Sequence, residues 1–127
     1  MPRASLAETP IALDEETIEI RVAELAAYSC TFEKHKADND PSPLFVGLPD
    51  DRCQCTHLGY VKTGKVVFQY ADHDETVEAG ETYVATPGHR PLLFGGTELV
   101  EFTLTEELNQ TVAVITSNLE ALKAGAH

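Results

Sequence analysis

Hydrophobic and polar residues alternate along most of this chain, and the alternation breaks it into short strands. Thr17–Val22 alternates with β-branched residues, and Ala26–His35 does the same. In the second run Tyr28, Cys30 and Phe32 share one face, while Ser29, Thr31, Glu33 and His35 share the other. A turn-rich loop, residues 36–43, follows, then an apolar but Gly/Pro-broken stretch, residues 44–51, that reads as an irregular packed connection. A meander begins there. Residues 53–61 predict a strand, 62–65 a tight turn, and Val66–Ala71 the return strand. After a turn at 72–75, strand-like runs flank Gly80, and Leu92–Phe94 and Leu99–Leu104 are two more, joined by Gly95 and Gly96. Short strands at this spacing indicate a sandwich or barrel.

The period changes at the C-terminus. Leu108, Val112, Ile115, Leu119 and Leu122 fall four and three residues apart, one apolar stripe of a helix over about 106–122. Thr103 with Glu106, or Thr105 alone, is placed to cap its start, and Gly125 to stop it. Such a stripe has to cover the outside of the barrel or a second subunit. Residues 1–15 read as a polar arm and 16–127 as one domain, with a barrel core at about 50–104.

Composition narrows the class. A chain of 127 residues at 43% hydrophobic and 24% charged is long enough for one core and is not that of a disordered segment. A net charge of −12 argues against electrostatic binding to nucleic acid or to an anionic membrane. No apolar run is long enough to span a bilayer, and the N-terminus has no apolar signal region. Three cysteines, an odd number, fit reduced thiols in a cytoplasm better than a disulfide framework.

Candidate chemistry concentrates at Cys53, Cys55 and His57, which have one parity and so share one face of a strand. Neighbours in the trio lie about 6.7 Å apart at Cα in an extended chain, close enough to converge on one cation, while Cys53 and His57 lie about 13 Å apart. All three share an ion only if the chain bends near Cys53. Thiolates with imidazole suit zinc, with iron or copper as other possibilities. His89, in a Pro-Gly-His corner, would complete a Cys2His2-like set. Two buried cysteines are equally explained as packing, and His89 as a turn residue in solvent. His73 and His35 read as surface residues, Cys30 as core, and Glu101 as either a buried acid or a sheet-surface glutamate. His127 is terminal.

His57–Gly64 and Gly80–Gly88 follow a Glu–Tyr-Val–Gly half motif and a Gly–Pro–Gly half motif. On these residues, about half the chain, it resembles the small single-domain cupins of the conserved-barrel group. The resemblance implies an all-β double-stranded β-helix (jelly-roll) barrel with a C-terminal α-helix. In the family's register His57 stands where a glutamate ligand belongs, Cys53 and Asp51 where two histidines belong, and Pro91 where the last histidine belongs. It further implies a divalent metal, a small organic ligand or substrate in the barrel, and a homodimer. If the chain is an enzyme, the chemistry would be that of a metal-dependent isomerase, cyclase, lyase, hydrolase or oxygenase. The alternative is a metal-free sensor or carrier.

Overall fold

The computed structural model describes residues 2–125; His127 lies outside them. Nine strands, β1 (Ile11–Asp14), β2 (Ile18–Leu25), β3 (Tyr28–His35), β4 (His57–Thr63), β5 (Lys65–Gln69), β6 (Asp74–Glu78), β7 (Thr82–Ala85), β8 (Arg90–Leu93) and β9 (Glu98–Leu104), precede one helix, α1 (Thr105–Gly125). They form two antiparallel sheets, a six-stranded one in the order β1-β2-β3-β9-β4-β7 and a three-stranded one in the order β6-β5-β8. Val61, Ala85 and Leu99 from the first meet Val66, Phe68 and Val77 from the second, and this apolar cluster closes the jelly roll. The chain crosses from one sheet to the other at Gly64, whose φ of 76° favours glycine and where a Cβ would lie 2.7 Å from Thr97 Cα.

Several expectations change. Within the stretch read as a polar arm, Ile11–Asp14 form β1 and cover the edge of β2. The strand expected over 53–61 starts at His57, and the Cys53–Thr56 segment before it is irregular. The broken apolar stretch holds two 3-10 turns, Ser42–Phe45 and Pro49–Asp51, as its Gly and Pro content implied. The turn read at 72–75 is shorter, since β6 starts at Asp74.

The largest correction concerns β3. Its polar face points to the barrel interior, where Ser29, Thr31 and His35 are buried; on the apolar face Cys30 is buried, as expected of a core residue, Phe32 is half-buried and Tyr28 is 41% exposed. His35, expected at the surface, is 1% exposed. The register explains it. Ser29 and Thr31 lie opposite Thr103 and Glu101 of β9, which in turn adjoin β4 residues on the barrel side. Ser29 Oγ is bonded to Thr105, Thr103 Oγ1 to His57 and Glu101 to Tyr83, while Thr31 Oγ1 has no partner among the described residues; Glu101 is thus a buried acid. Tyr28, Leu58, Tyr60, Val84, Phe102 and Leu104 are left exposed on the outer face.

The helix forms as expected, and Leu108, Ile115 and Leu119 of the stripe are half-buried, but its other two members are not covered. Val112 and Leu122 are exposed, while Thr111 is buried. Val114 and Ile115 pack on Phe45, Leu48, Cys53 and Cys55. Asn118 Nδ2 donates to the carbonyls of Leu44 and Val46, both at 2.7 Å, and so ties the helix to the first 3-10 turn. Polar contacts thus add to the packing of Leu108, Ile115 and Leu119 on the same side of the helix.

Candidate metal centre

The irregular approach to β4 supplies the bend that a shared ion requires. Cys53 forms an isolated antiparallel bridge with His89: its N–H donates to His89 O at 2.8 Å, and its carbonyl accepts from Gly88 N at 2.8 Å. The chain then turns through Gln54–Thr56, and β4 begins at His57. As a result one donor atom from each of Cys53, Cys55 and His57 lies within 4.8 Å of the other two, and all three residues are buried.

The imidazole of His57 is oriented from behind. Its Nδ1 is 2.7 Å from Thr103 Oγ1 and 3.8 Å from Glu101 Oε2, which turns Nε2 toward Cys53 Sγ at 3.6 Å. A tetrahedral zinc with Zn–S of about 2.3 Å and Zn–N of about 2.0 Å separates two such ligands by about 3.5 Å. The donor types and this spacing therefore fit zinc. A ligating histidine whose other nitrogen is held by a hydroxyl and a carboxylate is also the arrangement that tunes and orients metal-bound imidazoles.

The two thiols differ. The Cys55 thiol is pushed down to about 6, first by its hydrogen bond with Cys53, against the opposing effect of burial, and with help from Thr111 and His57. Cys53 is pushed up, by the same bond and by burial. The pair therefore gives up its first proton more readily than a lone thiol and its second less readily. Cys55 Sγ also lies 3.3 Å from Thr111 Oγ1 and 3.5 Å from the Glu107 carbonyl, so α1 closes the far side of the site.

His89 is buried rather than in solvent, with its ring centroid 5.0 Å from that of His57, though it lies outside the three-residue group. Its Nδ1 donates to the Thr86 carbonyl at 2.6 Å, which leaves Nε2 as the lone-pair nitrogen. Burial pushes its pKa down to about 4, so the ring is neutral. Phe68 packs edge-on against it at 5.4 Å. Asp51 is exposed, and its carboxylate accepts from Gly47 N, away from the cluster. His73 is half exposed and stacks on Tyr70, as a turn residue.

Sequence reasoning missed the polar wall beside the trio. Thr31, Glu33, His35, Tyr83 and Thr103 stand on the barrel side of β3, β7 and β9 with Glu101. Tyr83 Oη donates to Glu101 Oε1 at 2.5 Å, and His35 Nε2 lies 3.0 Å from Glu33 Oε1. Burial raises the Glu101 carboxyl above the usual range, opposed chiefly by His57. One signal was available: an acid and a glycine set mid-strand among apolar residues, Glu101 and Gly59.

No protein-family model and no curated protein matches the chain. Solved structures do. An RmlC-like cupin from Shewanella frigidimarina superposes with a TM-score of 0.53 at 10% identity, covering 80% of this chain and 89% of that one. KdgF from Halomonas sp. gives 0.52 at 13% identity, covering 79% and 90%. Streptomyces PAC13 with uridine gives 0.55 at 15% identity, covering 80% of each chain. At such identities the likeness speaks for architecture and not for chemistry. The chain has the fold of the small cupins, a single jelly-roll barrel closed at one end by a C-terminal helix.

Proposed function

We propose that this cupin barrel binds a divalent metal, zinc in first place, through Cys53, Cys55 and His57 with His89 as fourth ligand, and binds or acts on a small organic molecule in the barrel. The observation that carries the reading is the convergence of three buried donor atoms within 4.8 Å of one another. The neutral, Nε2-competent state of His89 supports its inclusion. Held by Cys53, Cys55 and His57 alone, the ion would keep an open position and supply Lewis acidity or an activated water, whereas with His89 as fourth ligand it would serve the structure. The chain's own residues would orient the ligands through Thr103 and line the adjoining interior with Glu33, Glu101 and Tyr83.

A second reading, a metal-free binding barrel, is favoured by one observation. Cys55 is 1% exposed and its sulfur already has contacts from Thr111 and Glu107, as a packing cysteine would. Metal content by mass spectrometry separates the two, on untagged protein purified reduced and without chelator, beside Cys55→Ala and His57→Ala. About one metal per chain, lost in both variants, supports the metal reading. A metal-free wild type with both variants folded leaves the binding barrel. Free thiols suit a reducing compartment such as the cytoplasm, which is our proposed location. The exposed apolar outer face of the large sheet supports a homodimer.

A further inference from the structure

We propose that Arg52 and Arg90 form an anion site on the outer side of the three-stranded sheet and that it takes the phosphate group of a small molecule. The site lies outside the barrel and does not depend on the metal reading.

The bridge between Cys53 and His89 brings the two arginines together. Arg52 is extended, with φ −131° and ψ 154°, so the antiparallel pairing carries back one position and sets Arg52 opposite Arg90. Residues so placed lie about 4.5–5.5 Å apart at Cβ. Both side chains leave on the side away from Cys53 and His89. That side is the outside: Arg90 stands opposite Gln69 of β5, whereas Pro91 stands opposite Phe68 of the core cluster.

Like charges opposed across a strand pair cost stability. The chain has 21 acidic residues against nine lysines and arginines, so partners are plentiful. Yet among the described residues neither Arg52 nor Arg90 forms an ion pair. Arg52 Nη1 donates to the Asp50 carbonyl at 3.3 Å. The Asp40 carboxyl is near enough to feel the charge of Arg90, but it accepts from Ser42 N at 3.0 Å and from Ser42 Oγ, and these bonds do more to hold it below the usual carboxylate range. The Nε of each arginine is shut off from water and has no partner among the described residues, while each residue keeps part of its surface. Two partly desolvated guanidiniums side by side, less screened than on an open surface, are offset together by one anion that bonds both.

Charge and shape select that anion. A guanidinium fork matches two oxygens of a carboxylate or a phosphate. Two forks carry two charges, which a phosphate monoester balances at neutral pH and a monocarboxylate does not. A net charge of −12 disfavours polyanions, which leaves a small phosphorylated molecule.

The test is calorimetric titration of the protein, as purified and after chelation, with inorganic phosphate, phenyl phosphate, succinate and acetate. The two phosphates are expected to bind in both preparations and acetate not, with phosphate affinity falling below about pH 6, where the dianion takes up a proton. Arg90→Gln and Arg52→Gln should each weaken phosphate binding about tenfold to a hundredfold, the loss of a charge-assisted bond. Without ligand Arg90→Gln should melt no lower than wild type, because it relieves the opposed charges, and phosphate should raise the melting temperature of wild type but not of the variant. An arginine held only for packing would behave oppositely. Arg52→Gln serves if Arg90→Gln does not fold. Succinate or acetate binding as tightly as phosphate overturns the proposal, as does an unbound panel or unchanged affinity in both variants. Binding that vanishes on chelation and survives both substitutions belongs to the metal centre and overturns it as well.

Discussion

The ring of Tyr83 lies across Gly59: a Cβ placed on that glycine would fall 2.2 Å from Tyr83 Cζ. Only a bare backbone lets a β7 side chain pass over β4 and reach Glu101 on β9. Gly59→Ala is therefore expected to displace Tyr83 and lower stability by about 1–3 kcal/mol, the usual cost of overpacking. Urea unfolding of the variant beside wild type measures it, and an unchanged midpoint would refute the account.

Glu101 gives a pH dependence with a definite sign. Burial raises its pKa in the folded state, so the native protein holds a proton that the unfolded chain releases as pH rises past the ordinary carboxylate range. Stability from this group is lost with rising pH between the unfolded and the folded values. In metal-free protein Glu101→Gln should thus gain melting temperature relative to wild type at neutral pH and gain less at acid pH. An equal difference at both pH values would count against it.

The two thiols predict the proton count of metal uptake. With Cys55 lowered to about 6 and Cys53 raised, one thiol is ionised at neutral pH and the other is not. Zinc binding at pH 7 should release about one proton per ion, read from the buffer dependence of the calorimetric heat. Affinity should fall about tenfold per pH unit already near 7, where Cys53 gives up its proton, and more steeply below about 6, where Cys55 takes up its own, while His89 stays neutral down to about 4. Release of two protons at pH 7 would refute the ionised Cys55.

Thr103→Val removes the group 2.7 Å from His57 Nδ1 without touching a ligand. Outer contacts of this kind are worth about tenfold to a hundredfold in metal affinity. Competition with a chromogenic chelator reads the loss, and an unchanged affinity would make Thr103 a packing residue.

Tyr28, Leu58, Tyr60, Val84, Phe102 and Leu104 form the exposed outer face of the large sheet. The protein is expected to sediment as a dimer of the 13.8 kDa chain at micromolar concentration, and Phe102→Lys to sediment as a monomer. A monomeric wild type would remove the dimer.

Much of the barrel was legible because strands here are short, alternating and punctuated by glycine; strand parity singled out Cys53, Cys55 and His57, but it is the irregular bend before β4 that brings their donors together. Parity does not say which face is inside. On β3 the ordinary preference for apolar interiors pointed the wrong way, since Thr31, Glu33 and His35 face a polar interior and Tyr28 faces out. The helix stripe was right only in part, for a related reason. Leu108, Ile115 and Leu119 lie on its covered side, but Thr111 and Asn118, bonded to Cys55 and to the carbonyls of Leu44 and Val46, share that side while Val112 and Leu122 do not. The burial of His89 depends on its backbone bridge to Cys53, a contact between residues far apart in sequence that no local pattern reports.

That bridge has a consequence for how the protein behaves when stripped. The main-chain bonds between Cys53 and the Gly88–His89 corner hold the two halves of the centre in place through peptide groups alone. The scaffold is then complete before any ion arrives, unlike small zinc domains that fold only around their metal. Chelation should leave the apoprotein folded and able to take up metal again without a refolding step, and the full intrinsic affinity of the donor set would go into holding the ion.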